Sequence, residues 1–143
     1  MMRGRTLASI FLASLALVMV VSCGVRAGDI VLLPTGFEGW VMVHYEISGR
    51  SAFEREGGKT LIRVPASGSV SSSNERPTGY GIDEYYFVGP EGKRMRIQSD
   101  DKGCVGQEPC VQQFQYFSSP AMVTRFFVGK KENLSRYPMP EVK

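Results

Sequence analysis

Apolar and polar side chains alternate along most of the chain after Asp29, in short runs separated by turn-forming residues. The clearest run covers residues 40–47, where Val41, Val43 and Tyr45 fall on one side and the intervening residues fall on the other. Alternation with a period of two residues is typical of a half-buried β-strand. The pattern therefore predicts an all-β fold.

The same pattern, with glycine, proline and serine as turn markers, predicts six to eight short strands. The candidate segments are 30–33, 40–47, 52–56 (the weakest), 60–64, 83–88, 93–98, 111–117 and 122–128. Residues 66–79 are rich in serine and glycine and are predicted to form a loop, whereas the turns at 89–92 and 118–120 predict two hairpins. We expect a small antiparallel β-sandwich or a partly open barrel.

The core of this domain is expected to come from one face of each strand. The candidate core residues are Val31, Leu33, Val41, Val43, Tyr45, Leu61 or Ile62, Tyr86, Val88, Met95, Ile97, Phe114, Tyr116, Phe126 and Val128.

The N-terminus has the composition of an export signal. Arg3 and Arg5 precede an uncharged, mostly apolar run over residues 6–21, and small residues follow it. A basic start, an apolar centre and a small-residue end are the parts of a secretory signal. The chain is thus expected to contain a signal over 1–22, a short tether over 23–28, a β-sandwich domain over 29–129 and a polar tail over 130–143.

Two processing sites compete at the end of this signal. Residues 20–23 resemble the lipobox of bacterial lipoproteins, in which the cysteine is acylated and becomes the N-terminus, whereas residues 25–27 form a small-x-small site that would release a soluble protein beginning at Gly28. Cys23 directly follows the apolar run, which favours the lipoprotein interpretation. We expect a protein of the bacterial cell envelope, anchored by a lipid on Cys23 and in the outer membrane if the host is Gram-negative. The alternative is a periplasmic or secreted protein.

The charge balance excludes one class of partner. The 143 residues include 17 lysines and arginines against 14 acids, and loss of the signal removes two arginines and no acid, which leaves an excess of one positive charge. A basic footprint for nucleic acid is therefore missing.

The domain contains two cysteines, Cys104 and Cys110, besides Cys23. In an exported protein an isolated pair predicts a disulfide, and Gly106 and Pro109 let the chain reverse between the two. A metal site would need more soft ligands than the sequence supplies.

Candidate catalytic groups are few. His44 is the sole histidine and has no nucleophile at a suggestive spacing, so we expect an ordinary strand residue. Residues 99–102 match a bare Ser-x-x-Lys pattern without its usual Lys-Thr-Gly partner, and Asp100, Asp101 and Glu108 lack the regular spacing of a calcium loop. The sequence therefore predicts no catalytic residue, metal or cofactor.

Aromatic residues near strand ends are the remaining candidate site, because rigid aromatic side chains often form binding surfaces for proteins or sugars. The candidate surface consists of Phe37, Trp40, Tyr80, Tyr85 and Tyr86.

Several turn and strand motifs occur in a recognisable order: Leu-Pro-x-Gly-Phe-x-Gly-Trp-Val at 33–41, Val-Pro-x-x-Gly at 64–68, Tyr-Tyr-Phe-Val at 85–88 and Gly-Lys-Arg at 92–94. Over residues 29–98 this order resembles a bacterial family of exported domains of unknown function, many with lipoprotein signals. More loosely, it is similar to prealbumin-like accessory β-sandwich modules. The resemblance implies an exported β-domain and supplies no catalytic residue.

Three functions follow from these observations. The leading hypothesis is a non-enzymatic module of the envelope, anchored through Cys23 and binding a protein or glycan partner. The alternative is a small hydrolytic or accessory enzyme in which folding brings a serine or an acid close to His44. The third is a subunit that assembles through an exposed edge strand.

Overall fold

The computed structural model describes residues 24–100, 104 and 108–143. The predicted signal over 1–22, Cys23, Asp101, Lys102 and Gly106 lie outside the described residues. No helix in the described part of the chain is long and apolar enough to cross a membrane. The elements are β1 (Asp29–Pro34), β2 (Gly39–His44), β3 (Glu54–Glu56), β4 (Lys59–Arg63), β5 (Ser69–Ser71), β6 (Glu84–Val88), β7 (Arg94–Ser99), β8 (Cys110–Phe117), β9 (Val123–Gly129) and a 3-10 helix (Lys131–Arg136).

All eight candidate segments coincide with strands, and only their ends differ. The additional strand, β5, lies within residues 66–79, so the prediction of a continuous loop there was wrong. β5 contains a single apolar residue, Val70, and three residues are too few to show an alternation.

The strands form one mixed sheet that curls into a half-barrel, in the order β3-β4-β1-β6-β7-β8-β9-β2-β5. The predicted all-β class is confirmed, and the half-barrel agrees with the partly open barrel of the prediction, whereas the sandwich and the expectation that the strands pair antiparallel throughout were wrong. β1 is parallel to both β4 and β6, β2 is parallel to β5, and β7 is parallel to β8.

Turn residues explain which pairings the sequence predicts and which it does not. The predicted hairpins β6–β7 and β8–β9 are present and antiparallel, and the turn at 57–58 joins a third antiparallel pair, β3–β4. Parallel partners are connected through longer segments. Their pairing has no local sequence signal, because no short turn joins the two strands.

The main core lies on the inner, concave face of the half-barrel. It consists of Val31, Leu33, Val41, Val43, Tyr45, Ile62, Val64, Tyr85, Ile97, Val111, Phe126 and Val128. At its centre, the rings of Tyr85, Phe114 and Phe126 lie with centroids 5.5 to 6.0 Å apart. The alternation predicted along β2 is confirmed, because Val41 and Val43 are buried in this core.

Four candidate core residues lie elsewhere. Tyr85 rather than Tyr86 faces inward, because the uninterrupted run Tyr-Tyr-Phe-Val gives no indication of which residues share a face. Tyr86 and Val88 instead pack against a second apolar cluster that includes Leu61. Met95 and Tyr116 are 64% and 66% exposed, since both are close to strand ends where the opposite part of the sheet does not cover them.

An irregularity in β8 keeps its apolar residues on the inner face. The register with β9 shifts between Gln112 and Gln115, and Gln113 has a φ of 58°. Such a bulge inserts one residue and reverses the alternation. Val111 and Phe114 therefore both face the core although they are three residues apart.

The C-terminal residues 130–143, predicted as a polar tail, lie against the outer face of the sheet. Phe127 is fully buried there between the rings of Trp40 and Tyr137, at centroid distances of 5.4 and 5.6 Å. The Trp40 indole N–H donates to the Tyr137 carbonyl (3.1 Å), and the Tyr137 hydroxyl donates to Glu38 (2.9 Å). These contacts make the segment part of the domain.

The predicted disulfide between Cys104 and Cys110 is confirmed, with Cα atoms 6.0 Å apart. It lies in the connection between β7 and β8, where Gln98 pairs with Cys110. Cys110 is buried, whereas Cys104 is partly exposed.

Replacement of both cysteines, Cys104→Ala with Cys110→Ala, is expected to lower the free energy of unfolding by about 2 kcal/mol, because a short closed loop constrains the unfolded chain only modestly. Urea unfolding of the oxidised protein and of the double variant measures this difference. A variant that does not fold would contradict the expectation that the bridge stabilises only this connection.

Candidate functional site

The first described residues lie along the segment that precedes β6. Val25 forms a parallel bridge with Tyr80, the Arg26 N–H donates to the Tyr80 carbonyl (2.9 Å), and the Tyr80 N–H donates to the carbonyl of Gly24 (3.2 Å). The close approach requires glycine at position 79, since a Cβ atom there would overlap the Gly24 carbonyl. The N-terminal segment is thus fixed to the sheet from Gly24 onwards.

Arg26 then forms an ion pair with two carboxylates at this end of the half-barrel. Its Nη2 lies 2.8 and 3.0 Å from the two carboxylate oxygens of Asp83, and its Nη1 lies 3.4 Å from Oδ1 of Asp29. The backbone N–H of Asp29 also donates to Asp83 (2.8 Å). Asp29 begins β1 and Asp83 directly precedes β6, so the parallel pairing of these strands brings the two acids together. We call these three residues the acidic cluster.

Burial changes the proton affinity of Asp29. The residue is only 7% exposed. Burial and the negative charge of Asp83 raise the pKa of Asp29 to about 6, although Arg26 and a hydrogen bond with Thr60 act in the opposite direction. Asp29 can therefore take up or release a proton in mildly acidic conditions.

A cavity of about 50 Å³ lies behind the acidic cluster, between the two parts of the curled sheet. Its lining includes Tyr45 and Tyr85, and burial raises the pKa of both phenols, so both remain protonated near neutral pH. The cavity has room for a few water molecules and not for a metabolite, because ligand pockets usually exceed about 300 Å³. An open cleft of about 470 Å³ lies outside it, bordered by Tyr80, Ile82 and Tyr116.

The chemistry of this site is that of a paired, proton-binding carboxylate. Within the described ranges, no group of three or more histidine, cysteine or acidic residues is placed to hold a metal ion. The two carboxylates share one arginine, which is an arrangement suited to holding the N-terminal segment in place.

His44 lies apart from the acidic cluster. It ends β2, opposite Val123 on one neighbouring strand and Ser71 on the other, and its side chain is half-buried. It occupies the face of β2 opposite to Val43, which belongs to the inner core. In the part of the chain that the structure describes, no hydroxyl or carboxylate forms a hydrogen bond with its imidazole.

The five candidate aromatic residues are distributed over different parts of the fold. Tyr85 lies in the inner core, and Phe37 packs against that core from the turn after β1. Trp40 lies on the outer face beneath the C-terminal segment, and Tyr86 lies on the outer face of β6, with two arginine side chains over its ring. Tyr80 is 75% exposed beside the acidic cluster.

The acidic cluster was not predicted from the sequence, in which Arg26 lies in a competing cleavage motif and Asp29 and Asp83 mark strand boundaries. The sequence does contain one sign of it, because an acid stands at the start of each of two apolar strands, Asp29 in β1 and Asp83 just before β6. That signal becomes informative only when the two strands are known to be parallel neighbours.

The raised pKa of Asp29 predicts a specific pH dependence. Between its ordinary value of 3.8 and about 6, only the folded chain binds this proton, so the contribution of Asp29 to the free energy of unfolding falls as the pH rises through that window. Asp29→Asn removes this titration. We expect the free energy of unfolding of the variant minus that of the wild type to be about 2 to 3 kcal/mol larger at pH 7 than at pH 4.

Urea unfolding of both proteins across this pH range measures the difference, and Glu91→Gln, in an exposed turn, serves as the control. A difference between wild type and Asp29→Asn that does not change with pH would contradict the burial of a proton-binding carboxylate.

A crystal structure described as "Putative Lipoprotein from Bacillus anthracis" is similar to this chain with a TM-score of 0.55 and 22% identity, over 82% of this chain and 84% of that chain. This similarity shows a common fold. No curated protein matches the chain. The model of a family of unknown function (DUF6843) matches residues 26–133, a range that begins at Arg26, contains the acidic cluster and extends through β9. The predicted resemblance to a family of unknown function is thereby confirmed, and the chain belongs to this family.

Proposed function

We propose that the protein is a non-enzymatic module of the bacterial cell envelope that is anchored to a membrane by a lipid on Cys23. The observation that carries this proposal is the place of Arg26 in the acidic cluster. The two competing processing sites differ in whether they leave this residue in the mature chain.

Cleavage after Ala27 would remove both ion pairs of Arg26 and leave the new α-ammonium group of Gly28, which cannot form the same two-oxygen contact with Asp83 that the guanidinium makes. Removing one partner from a partly buried ion pair is costly, because the remaining charge is incompletely solvated. The same cut would also remove the two hydrogen bonds between the N-terminal segment and Tyr80. Cleavage before Cys23 keeps all of these contacts, so the fold favours the lipoprotein site.

The similarity in fold to a Bacillus anthracis protein described as "Putative Lipoprotein" supports the same proposal, as does the lipobox-like order of residues 20–23. Both observations are independent of the contacts of Arg26. Together they favour an exported, lipid-anchored protein over a soluble product.

A binding role is favoured over an enzymatic one by the positions of the candidate groups. The enclosed cavity behind the acidic cluster is too small for a substrate, the open cleft outside it is lined by no histidine or cysteine among the described residues, and His44 lies on another face of the sheet. The edge strands β3 and β5 are only three residues long and carry charged or serine residues, features that oppose assembly through an edge.

The end of the half-barrel remote from Cys23 would then face a protein or glycan partner. β1 runs from the acidic cluster to Pro34, over six residues or about 20 Å. The turn that follows β1 and the turn at 89–92 both lie at this remote end, where Thr35 donates to the Val88 carbonyl. A tethered module would present these turns away from the membrane.

The Cys23→Ser variant tests the anchor. We expect wild-type protein in the membrane fraction with a mass that includes acyl chains, and the variant either unprocessed or released. The matched control is Ala27→Gln, which blocks the competing site at an exposed position and is expected to leave processing and membrane association unchanged. A soluble wild-type product that begins at Gly28 would refute the proposal.

A further inference from the structure

We propose that the exposed side chains of Val25, Tyr80 and Ile82 form the surface through which the anchored protein lies on the lipid bilayer. We call these three residues the apolar patch. The inference rests on the proposed lipid anchor and adds to it an orientation and a second membrane contact.

The patch is apolar, exposed and continuous along two neighbouring segments. Val25, Tyr80 and Ile82 are 79%, 75% and 66% exposed. Val25 and Tyr80 are bridge partners, and Ile82 follows two residues later along the same segment. A Cβ atom at Gly28 would overlap the Ile82 carbonyl, so the two segments are also in close contact beyond the bridge.

The distance from the anchor determines what this patch can contact. The carbonyl of Gly24 already accepts a hydrogen bond from Tyr80, so the chain is attached to the domain one residue after Cys23. Consecutive Cα atoms are about 3.8 Å apart. With its acyl chains in the hydrocarbon layer, Cys23 would hold Gly24 close to the lipid surface, and no flexible linker would separate the domain from the bilayer.

The side chains of the patch match the chemistry of a membrane interface. Tyrosine is enriched at the level of the lipid headgroups, where its ring is partly buried and its hydroxyl remains hydrated. Transfer of valine and isoleucine side chains from water into an apolar environment is favourable in free energy. At the border of the patch, Lys59 donates to the Ile82 carbonyl (3.4 Å) and forms an ion pair with Glu84 (3.2 Å), so these charges are balanced within the protein.

Fluorescence quenching tests the orientation. The lipidated Tyr80→Trp protein is inserted into vesicles of phosphatidylcholine and phosphatidylglycerol, with and without brominated acyl chains. The matched control is lipidated Met95→Trp, since Met95 is also apolar and 64% exposed but pairs with Phe87 towards the remote end of the sheet. The wild-type protein supplies the background, because Trp40 is its sole tryptophan.

We expect the signal of Tyr80→Trp to shift to shorter wavelength on insertion and to be lost in brominated vesicles, while Met95→Trp and the wild type keep their emission. Intact mass and co-flotation with vesicles establish the anchor separately in each sample.

The outcomes distinguish this inference from the proposed function. If the proteins are acylated and float with the vesicles but Tyr80→Trp is not quenched, the patch does not contact lipid and the inference fails while the anchor stands. Protection of that tryptophan from aqueous iodide in native membranes but not in vesicles would assign the patch to a protein partner and overturn the inference. If the wild type carries no acyl chain, the proposed function and the inference fail together.

Discussion

The ion pair between Arg26 and the carboxylates of Asp29 and Asp83 attaches the N-terminal segment to the end of the half-barrel. β1 and β6 are parallel neighbours, so the acids at their starts lie side by side, and burial makes this arrangement unfavourable without a cation. The cation comes from the N-terminal segment. The segment that would carry the anchor is therefore also the one that balances the charge at this end of the sheet.

Several properties follow from this arrangement. Arg26 pairs with both acids, so the proposed processing before Cys23 would keep this contact, whereas cleavage after Ala27 would remove it. Gly24 is hydrogen-bonded to Tyr80, so the proposed anchor on Cys23 would be joined to the domain without a linker. On the outer face of the sheet, Phe127 is covered by Trp40 and by Tyr137, which belongs to the C-terminal segment. Both ends of the described chain are therefore fixed to the same sheet.

Local sequence signals predicted every strand of the described chain except β5, two of the hairpins and the disulfide, because alternation and turn residues act over a few positions. They did not predict the parallel pairings, since no short turn records which distant strands meet. They also failed where apolar residues run without interruption: in β6 the sequence gives no reason to choose Tyr86 over Tyr85. The acidic cluster depends on a parallel pairing, and for this reason neither Asp29 nor Asp83 could be recognised as part of a site.

The most direct test compares Arg26→Gln with Arg63→Gln by urea unfolding at pH 7. The side chains of Arg26 and Asp83 are 22% and 25% exposed, whereas those of Arg63 and its partner Glu54 are 63% and 66% exposed. The ion pair at the end of the half-barrel predicts a loss of about 1 to 3 kcal/mol for Arg26→Gln, from the partly buried charges left behind, and of at most about 0.5 kcal/mol for Arg63→Gln. Equal and small losses in the two variants would contradict the central role of Arg26.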